Sequence, residues 1–507
     1  MKEYDIIVVG AGMGGLAAAN VLAKNKKRVL LLEKGHSAGG FANSFVRGRF
    51  EFEVSLHELC GFGRYDLPFG PVRGLFDKLG ISDRIDWVDI PDAYRMITLD
   101  KKYDVTMPFG IDAYIEKLEE YAPGSRKELQ RLFKTGENVR KEIEALARPM
   151  GVLGKAFSLM KKGVLIHTAG YSLNEVLDTF DLSPRAKDIL RAYWAYLCID
   201  LDTIDFVHYI QMLCSYIELK SVVPRLRSHE MVNCLVDCFR ENGGELWLNS
   251  EVTEILTEKN SVTGVRLSDG TKISAPRVIC NFSPHNAFGR MMKKEAVPEF
   301  DKKRANFRTF GGRGFCVFLG LNKSAEELGL HDYSYFIFPD MDTAKQFGRM
   351  AYPETNDVQN TVCLNAVNPD ASPEGTCMLC MTTLFTDDWW SRVAPEDYNA
   401  EKESFALHMI ENFERATGVD LKNNIEEIEI AAPPTFSRFT GTPDGTIYGY
   451  LGKHGDGIVA RRMEKTECTV GGLYFTGGFG NMLLGYSSAL SSGRSIAHGI
   501  LTEKEGV

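Results

Sequence analysis

The feature that most constrains the fold of this chain is a glycine-rich turn near its N-terminus. The apolar run at residues 5–9 predicts a strand, the alanine- and leucine-rich run after the glycines predicts a helix, and Val29 to Glu33 predicts a second strand. Gly10, Gly12 and Gly15 match GxGxxG, whose missing side chains permit a tight turn, close approach of a pyrophosphate and close packing of helix on strand. The sequence therefore predicts a βαβ unit that grips the ADP half of a dinucleotide.

The residues that follow favour a flavin over a nicotinamide cofactor. Glu33 ends the second predicted strand eighteen residues after Gly15 and is expected to hydrogen-bond a ribose diol. Gly39 and Gly40 then form a second glycine pair that would bring main chain to the pyrophosphate and the ribityl chain, which a nicotinamide cofactor lacks. Near the C-terminus, a predicted helix beginning at Gly485 would face the pyrimidine edge of a flavin and stabilise the negative charge of its reduced ring.

FAD is therefore the expected cofactor, and its expected contacts come from distant parts of the chain. The predicted FAD-binding residues are Gly10, Ala11, Gly12, Met13, Gly14, Gly15, Glu33, Lys34, Gly39, Gly40, Phe41, Ser44, Val252, Asn281, Gly477, Gly478, Met482 and Gly485.

Nucleotide-binding features recur at the start, middle and end of the chain, which predicts a discontinuous cofactor domain. The expected class is α/β: a Rossmann-like, three-layer FAD-binding domain with a parallel sheet, formed by residues 1–70, 221–300 and 455–507. An inserted substrate domain is expected to have a helical part, residues 71–220, and a mixed-sheet part, residues 301–454. Within the helical part, Ser125 with Glu128 predicts a capping box, and Ser183 before Pro184 predicts another helix start.

Composition narrows the class of protein. The chain has 507 residues, 44% of them hydrophobic, which suffices for a large core. A formal net charge of −9 argues against nucleic acid as a partner, because phosphate backbones require a broad basic surface. Eleven scattered cysteines and an N-terminus without a signal-peptide pattern predict reduced thiols and a cytoplasmic location. No HxxxH or HxH pairing occurs among the ten histidines, so no metal is expected.

Three blocks carry a resemblance to a known family. They are VVGAGMGGLAAANVLA with LLEKGHSAGG, the middle block LVDCFRENGGELWLNSEVTEILTEKNSVTGVRLSDG, and the C-terminal GLYFTGGFGNMLLGYSSALSSGRSIA. In this order they resemble the phytoene desaturase and retinol saturase branch of the FAD-dependent flavin amine oxidase superfamily, over essentially the whole chain. The resemblance implies that the strand carrying Val252 lies against the adenine, that the last glycine loop covers the flavin, and that His57 matches a family histidine.

The chain also departs from its relatives. Gly478 stands where the family often has an acidic residue, so one cofactor contact is expected to be lost or replaced by main chain. Phe41 replaces an arginine common in amine oxidases, which speaks against that branch. RLRSHEM, residues 225–231, replaces a more usual Pro-Gly-Gly-Met, so the substrate chamber is expected to differ.

Moving a hydride to or from a flavin requires little from the protein beyond orientation, exclusion of water and, in some reactions, a proton. His57 and Tyr486 are the catalytic candidates, with Glu58 and His229 also named by position. A structural, hydrogen-bonded histidine is the alternative for His57, and packing against the flavin is the alternative for Tyr486. His229 has the alternative of a solvated loop.

The leading hypothesis is an oxidoreductase that desaturates, saturates or isomerises a carbon–carbon bond of a lipophilic carotenoid, retinoid or unsaturated fatty acid. A flavin amine or amino-acid oxidase and a non-catalytic FAD-binding scaffold are the alternatives. Residues 148–166 interleave basic and apolar side chains, which indicates either a peripheral contact with the inner face of a membrane or an ordinary helix with snorkelling lysines. The external electron donor or acceptor is not indicated by the sequence.

Overall fold

The computed structural model describes residues 3–62, 70, 72–146, 163–453, 468–480 and 485–503. Its strands are β1 Ile6–Val9, β2 Val29–Leu32, β3 Ser44–Arg47, β4 Phe50–Glu53, β5 Leu59–Cys60, β6 Trp87–Asp89, β7 Asp92–Thr98, β8 Asp104–Pro108, β9 Ser221–Pro224, β10 Glu245–Trp247, β11 Val252–Glu258, β12 Ser261–Leu267, β13 Lys272–Ser274, β14 Val278–Cys280, β15 Arg313–Leu321, β16 Ser334–Phe338, β17 Gln359–Cys363, β18 Cys377–Phe385, β19 Ile425–Ala431 and β20 Leu473–Phe475.

The α-helices lie between groups of these strands. They are α1 Met13–Lys24, α2 Arg73–Leu79, α3 Ile111–Tyr121, α4 Arg126–Leu146, α5 Gly163–Thr168, α6 Leu173–Leu177, α7 Pro184–Leu190, α8 Trp194–Leu197, α9 Phe206–Leu219, α10 Ser228–Glu241, α11 Pro284–Asn286, α12 Glu299–Phe307, α13 Thr343–Arg349, α14 Tyr398–Thr417, α15 Pro433–Thr440 and α16 Gly485–Thr502.

A five-stranded parallel sheet in the order β10-β2-β1-β14-β20 organises the nucleotide-binding part of the molecule. Its central strands, IIVV in β1 and VLLL in β2, are buried along their whole length, as expected for a parallel sheet covered on both faces. The strands come from residues 6–32, 245–280 and 473–475. The predicted Rossmann-like α/β class is confirmed, whereas the domain boundaries stay a prediction.

Helix α1 packs between the sheet and two other helices. Every residue from Met13 to Ala23 is buried, because α1 lies against both α10 and α16. The closest approach is at Gly493 of α16, where an added Cβ would collide with the Gly14 carbonyl oxygen. The absence of a side chain at Gly493 therefore sets how closely the last helix approaches the glycine turn.

A second, seven-stranded sheet has the order β19-β15-β18-β17-β16-β7-β8. Only β16 and β7 pair in parallel, and the other neighbours are antiparallel, so the predicted mixed sheet is confirmed. Three smaller sheets, β3-β4, β5-β9-β6 and β11-β12-β13, surround the two large ones. The first of the three places residues 44–53 beside the seven-stranded sheet, where Phe52 packs against Phe318.

The prediction that residues 71–220 are helical is wrong for residues 87–108, which form β6, β7 and β8. Strand β7 lacks the alternation of a half-exposed strand because both of its faces are buried, with Met96 in one apolar cluster and its neighbour Ile97 in another. The helix start at Ser183 is confirmed, since its hydroxyl accepts from the Ala186 main-chain N–H. In place of the predicted capping box with Ser125, the Glu128 carboxylate pairs with Arg131 at 2.8 Å.

Candidate active site

One large cavity, with a volume of about 740 Å³, connects the two large sheets. On one side it is lined by residues at the carboxyl ends of the parallel strands, including Val9 and Leu32, and on the other by Cys316 of β15 and Thr382 of β18. Ligands of open parallel sheets bind at this edge. The cavity therefore has a nucleotide half at the sheet edge and a second half, which we call the chamber, towards the seven-stranded sheet and α9.

In the nucleotide half, Glu33 is held by main chain. Its carboxylate accepts from the N–H groups of Ala11 and Gly35, each at 2.8 Å. Gly12 and Gly39 form an isolated parallel bridge, which brings the second glycine pair onto the first glycine turn. These contacts orient Glu33 at the end of β2, where one of its oxygens can accept from a ribose hydroxyl as well.

Two glycine segments, the N-terminal turn and the C-terminal loop, converge on the side chain of Asn281, which follows β14. A Cβ added to Gly12 would lie 2.7 Å from the Asn281 Nδ2 atom, and one added to Gly14 would lie 2.6 Å from the Gly477 nitrogen. A Cβ on Gly477, whose φ is +73°, would collide with Asn281 Oδ1. Only glycine fits at these positions, so the main chain is bare where a pyrophosphate must approach, and the cradle suits FAD.

Most of the predicted FAD-binding residues line this cavity, namely Gly10, Gly12, Met13, Gly14, Glu33, Lys34, Gly39, Gly40, Phe41, Val252, Asn281, Gly477, Gly478 and Gly485. Two others lie directly behind it: Ala11 donates to Glu33, and Gly15 packs on the Gly10 carbonyl oxygen. Met482 lies outside the described residues.

Ser44 is a correction to the predicted set, because it does not line the cavity. Its hydroxyl lies 2.6 Å from a Glu51 carboxylate oxygen and 2.8 Å from His229 Nδ1. Those partners turn the side chain away from the cofactor region and make it part of the contact between β3, β4 and α10. His229 is therefore neither a solvated loop residue nor part of the cavity lining.

The two catalytic candidates both line the cavity. His57 Nε2 lies 3.0 Å from the Thr382 hydroxyl, and the imidazole contacts the Tyr196 ring at a centroid distance of 5.9 Å. Burial lowers the pKa of His57 to about 4, so the imidazole is neutral at pH 7. The Tyr486 hydroxyl lies 2.7 Å from the Ser55 hydroxyl, and burial raises the pKa of Tyr486 well above its usual value, so it stays protonated.

Glu58, the neighbour of His57, is the most perturbed acid of the chamber. Its side chain is 6% exposed, and burial raises its pKa to about 8, so the carboxyl is mostly protonated at pH 7. A negative charge on Glu58 would raise the pKa of the surrounding tyrosines. Two of them, Tyr196 and Tyr216, also line the cavity. The chamber thus holds a neutral acid beside a neutral imidazole.

One face of α9 also lines the chamber, and the sequence reading missed it. The residues are His208, Gln211, Met212 and Ser215, spaced i, i+3, i+4 and i+7 and therefore on one side of the helix. Polar residues at helical spacing in the otherwise apolar FVHYIQMLCSYIEL were the signal that could have identified this face.

The remaining sequence predictions concern metals, thiols and membranes. Across the described ranges, no cluster of three or more His, Cys, Asp or Glu could hold a metal ion, and Cys377 and Cys380 lie in β18. No helix in that part of the chain is both long and apolar enough to cross a bilayer. The predicted basic amphipathic segment falls mostly outside the described residues, which resume at Gly163 in α5.

Comparisons with known proteins agree with this geometry. The family profile for an NAD(P)-binding Rossmann-like domain matches residues 8–79. Prolycopene isomerase 1 of an Oncidium hybrid cultivar is 25% identical over 497 residues, covering 94% of this chain and 80% of that protein. All-trans-retinol 13,14-reductase of Danio rerio is 24% identical over 530 residues, covering 97% and 84%. Over nearly its whole length the chain is similar to the phytoene desaturase and retinol saturase-like branch of the flavin amine oxidase superfamily.

The fold of this chain is shared with solved amine oxidases. Putrescine oxidase bound to putrescine superposes with a TM-score of 0.65 at 15% identity, covering 99% of this chain and all of that one. At this identity the likeness concerns the fold alone. The chain is an FAD-dependent enzyme, and the glycine cradle around Asn281 accounts for the cofactor in physical terms.

Proposed function

We propose that the chain desaturates, saturates or isomerises a carbon–carbon double bond in a lipophilic polyene, of the carotenoid, retinoid or unsaturated fatty acid kind. The observation that carries this proposal is the chamber, whose buried acid and imidazole are both neutral at pH 7. Relatives over nearly the whole chain are named for reactions on prolycopene and on all-trans-retinol. An uncharged chamber suits the uncharged hydrocarbon chain that these substrates share.

In this proposal the nucleotide half fixes the cofactor. When FAD is bound, Glu33 would hold the ribose diol, the main chain at Gly12, Gly14 and Gly477 would hold the pyrophosphate, and the N-terminus of α16 would stabilise negative charge on the reduced flavin. When bound there, FAD supplies hydride transfer to or from the substrate carbon. The protein contributes position and exclusion of water.

The two catalytic candidates receive orienting roles. His57, held by Thr382 and packed on Tyr196, presents a neutral ring to the chamber. With a pKa of about 4 it is a weak base at pH 7, so we assign it to substrate positioning. Tyr486, tied to Ser55 and always protonated, positions the flavin edge next to the start of α16.

The chamber argues against an amine substrate. Amines arrive as ammonium ions, and desolvating a cation is costly unless an anion pairs with it. The buried carboxyl of Glu58 is mostly protonated at pH 7, and the neighbouring His57 carries no negative charge. Although the chain shares its fold with putrescine oxidase, its chamber offers, among the described residues, no anion that could pair with a cationic substrate.

The test is product analysis under anaerobic conditions. FAD-loaded protein, oxidised in one series and reduced in the other, is incubated with a carotene, a polyene alcohol, an unsaturated fatty acid and a primary amine. We expect chromatography to show a desaturated, saturated or isomerised polyene in at least one redox state, which also identifies the direction of electron flow. The Gly14→Ala protein, with its FAD cradle blocked, is the matched control. Turnover of the amine alone would contradict the proposal.

A further inference from the structure

His57 is held in the cavity wall by two residues of the seven-stranded sheet region. Its Nε2 atom lies 3.0 Å from the hydroxyl of Thr382 in β18, and its carbonyl oxygen accepts from the phenol of Tyr333, which precedes β16. Thr382 and Tyr333 are both buried. The imidazole is therefore anchored on one side, with Nε2 committed to Thr382.

The other ring nitrogen of His57, Nδ1, has no hydrogen-bond partner among the described residues. It is not one of the unpaired polar atoms that protein atoms enclose completely, and His57 lines the cavity, so Nδ1 is the nitrogen that a ligand meets. The imidazole is neutral at pH 7, because burial lowers its pKa to about 4. One nitrogen then carries a proton and the other a lone pair, so the tautomer determines whether His57 donates or accepts in the cavity.

Two thiols surround the Thr382 hydroxyl on its other side. Cys316 Sγ, which belongs to the residue paired with Thr382 across β15 and β18, lies 3.2 Å from Thr382 Oγ1, and Cys380 Sγ lies 3.8 Å from it. A hydrogen bond to Cys316, together with burial, raises the pKa of the Cys380 thiol well above its usual value. Cys380 thus stays protonated and donates to Cys316, whose own S–H has Thr382 Oγ1 within reach.

The thiols favour one direction for the hydrogen bond between Thr382 and His57. A hydroxyl has one proton to donate and two lone pairs to accept with. When Thr382 donates to Nε2, its lone pairs remain for the thiol donors, and each polar hydrogen of the cluster has a partner. When Nε2–H donates instead, the hydroxyl proton has only sulfur to bind, and sulfur is a weak acceptor.

We propose that Thr382 donates its hydroxyl proton to Nε2 and so holds His57 as the Nδ1–H tautomer, which presents an N–H donor to the cavity. This donor binds an acceptor atom of the molecule that fills the cavity, either on the flavin ring or on the substrate. Thr382 is a positioning residue in this account, because it acts through His57. The inference rests on the function proposed above only for the identity of the substrate, since the tautomer is independent of what reacts.

Thr382 and Thr383 provide a matched pair of variants. They are adjacent in β18 and both buried, but successive side chains of a strand point to opposite faces, and only Thr382 lines the cavity. The Thr383 hydroxyl accepts from Asn356 Nδ2 at 3.1 Å. Thr382→Val therefore removes the hydroxyl that contacts His57, Thr383→Val removes a buried hydroxyl behind it, and Thr382→Ser retains the hydroxyl.

The experiment reads the tautomer directly by NMR of FAD-loaded protein labelled with 15N in its histidine rings, because protonated and bare ring nitrogens resonate far apart. The signals of His57 are assigned by their loss in His57→Gln. At pH 7 we expect Nδ1 to be protonated and Nε2 to be bare in the wild-type protein. Thr382→Ser and Thr383→Val should keep this pattern, whereas Thr382→Val should give a mixture of both tautomers.

The acceptor is identified from three states of the same protein: without cofactor, loaded with FAD, and loaded with FAD in the presence of a polyene. Displacement of the Nδ1–H signal on FAD loading assigns the donor to the flavin, and displacement only when the polyene is added assigns it to the substrate. The dissociation constant of that ligand should rise by about three- to tenfold in Thr382→Val, as expected for one misdirected hydrogen bond, and stay at the wild-type value in Thr383→Val.

Three results would overturn the inference. The first is a wild-type spectrum with the proton of His57 on Nε2, which decides the matter even if Thr382→Val does not fold. The second is an equal change of the His57 signals in Thr382→Val and Thr383→Val, which would make packing of β18 responsible. The third is an Nδ1–H signal that neither ligand displaces. Failure of the proposed function is seen separately, as absence of polyene turnover in a protein whose His57 carries its proton on Nδ1.

Discussion

The raised pKa of Glu58 makes the stability of this protein depend on pH in a direction that can be calculated. Burial raises the pKa from 4.5 to about 8, so between these values the folded state holds a proton that the unfolded state releases. Raising the pH across this window therefore favours unfolding. Integrated from pH 5 to pH 8, the contribution of Glu58 to the free energy of unfolding falls by about 3 to 4 kcal/mol.

Glu58→Gln removes that proton and should remove this part of the pH dependence. For a chain of 507 residues, the loss corresponds to a shift of about 3 °C in Tm, given typical unfolding entropies per residue. The assay is a series of thermal melts of both FAD-loaded proteins from pH 5 to pH 8. The variant should gain about 3 °C relative to wild type over this range, because every other titrating group is common to the two proteins. Parallel curves with a constant difference in Tm would refute the reasoning.

Further predictions follow from the glycine cradle, the helix contact and the histidine. Gly14→Ala should weaken FAD binding by about tenfold to a hundredfold in a titration of apoprotein, because its Cβ would lie 2.6 Å from the Gly477 nitrogen; unchanged affinity would contradict the cradle. Glu33→Gln should lower FAD affinity by about tenfold in the same titration. Gly493→Ala should cost about 1–3 kcal/mol in chemical denaturation by forcing α16 away from α1. His57, with its pKa lowered to about 4, should remain neutral from pH 5 to pH 8 in an NMR titration, and a midpoint near 6.5 would contradict its burial.

The cofactor half of the site was predictable from sequence because its signals are local. GxGxxG, the glutamate after the next strand and the glycine pair all lie between Gly10 and Gly40. Gly10, Gly39 and Gly40 adopt positive φ angles that favour glycine. The structure places Gly12, Gly39 and Glu33 together as the motif requires. The orientation of Ser44 could not be predicted in this way, because it depends on a contact with His229, 185 residues away.

The substrate half depended on contacts that no local pattern contains. The sequence of β7 does not alternate because both faces of the strand are buried by distant parts of the chain, with Met96 and Ile97 in different apolar clusters. Glu58 is adjacent to His57 in sequence, but it is buried beside Tyr196 and Tyr216, which belong to α8 and α9. Residue type and position alone therefore favoured His57, whereas long-range packing raises the pKa of the Glu58 carboxyl.

The most direct test of the central claim is rapid anaerobic mixing of FAD-loaded enzyme with a polyene while the absorption of flavin and polyene is followed together. The account predicts that the polyene spectrum changes at a rate proportional to enzyme-bound flavin, in the oxidised or the reduced state, and that a primary amine leaves the oxidised flavin unaltered. A polyene spectrum that stays constant in both redox states, with rapid bleaching of the oxidised flavin by the amine, would contradict it.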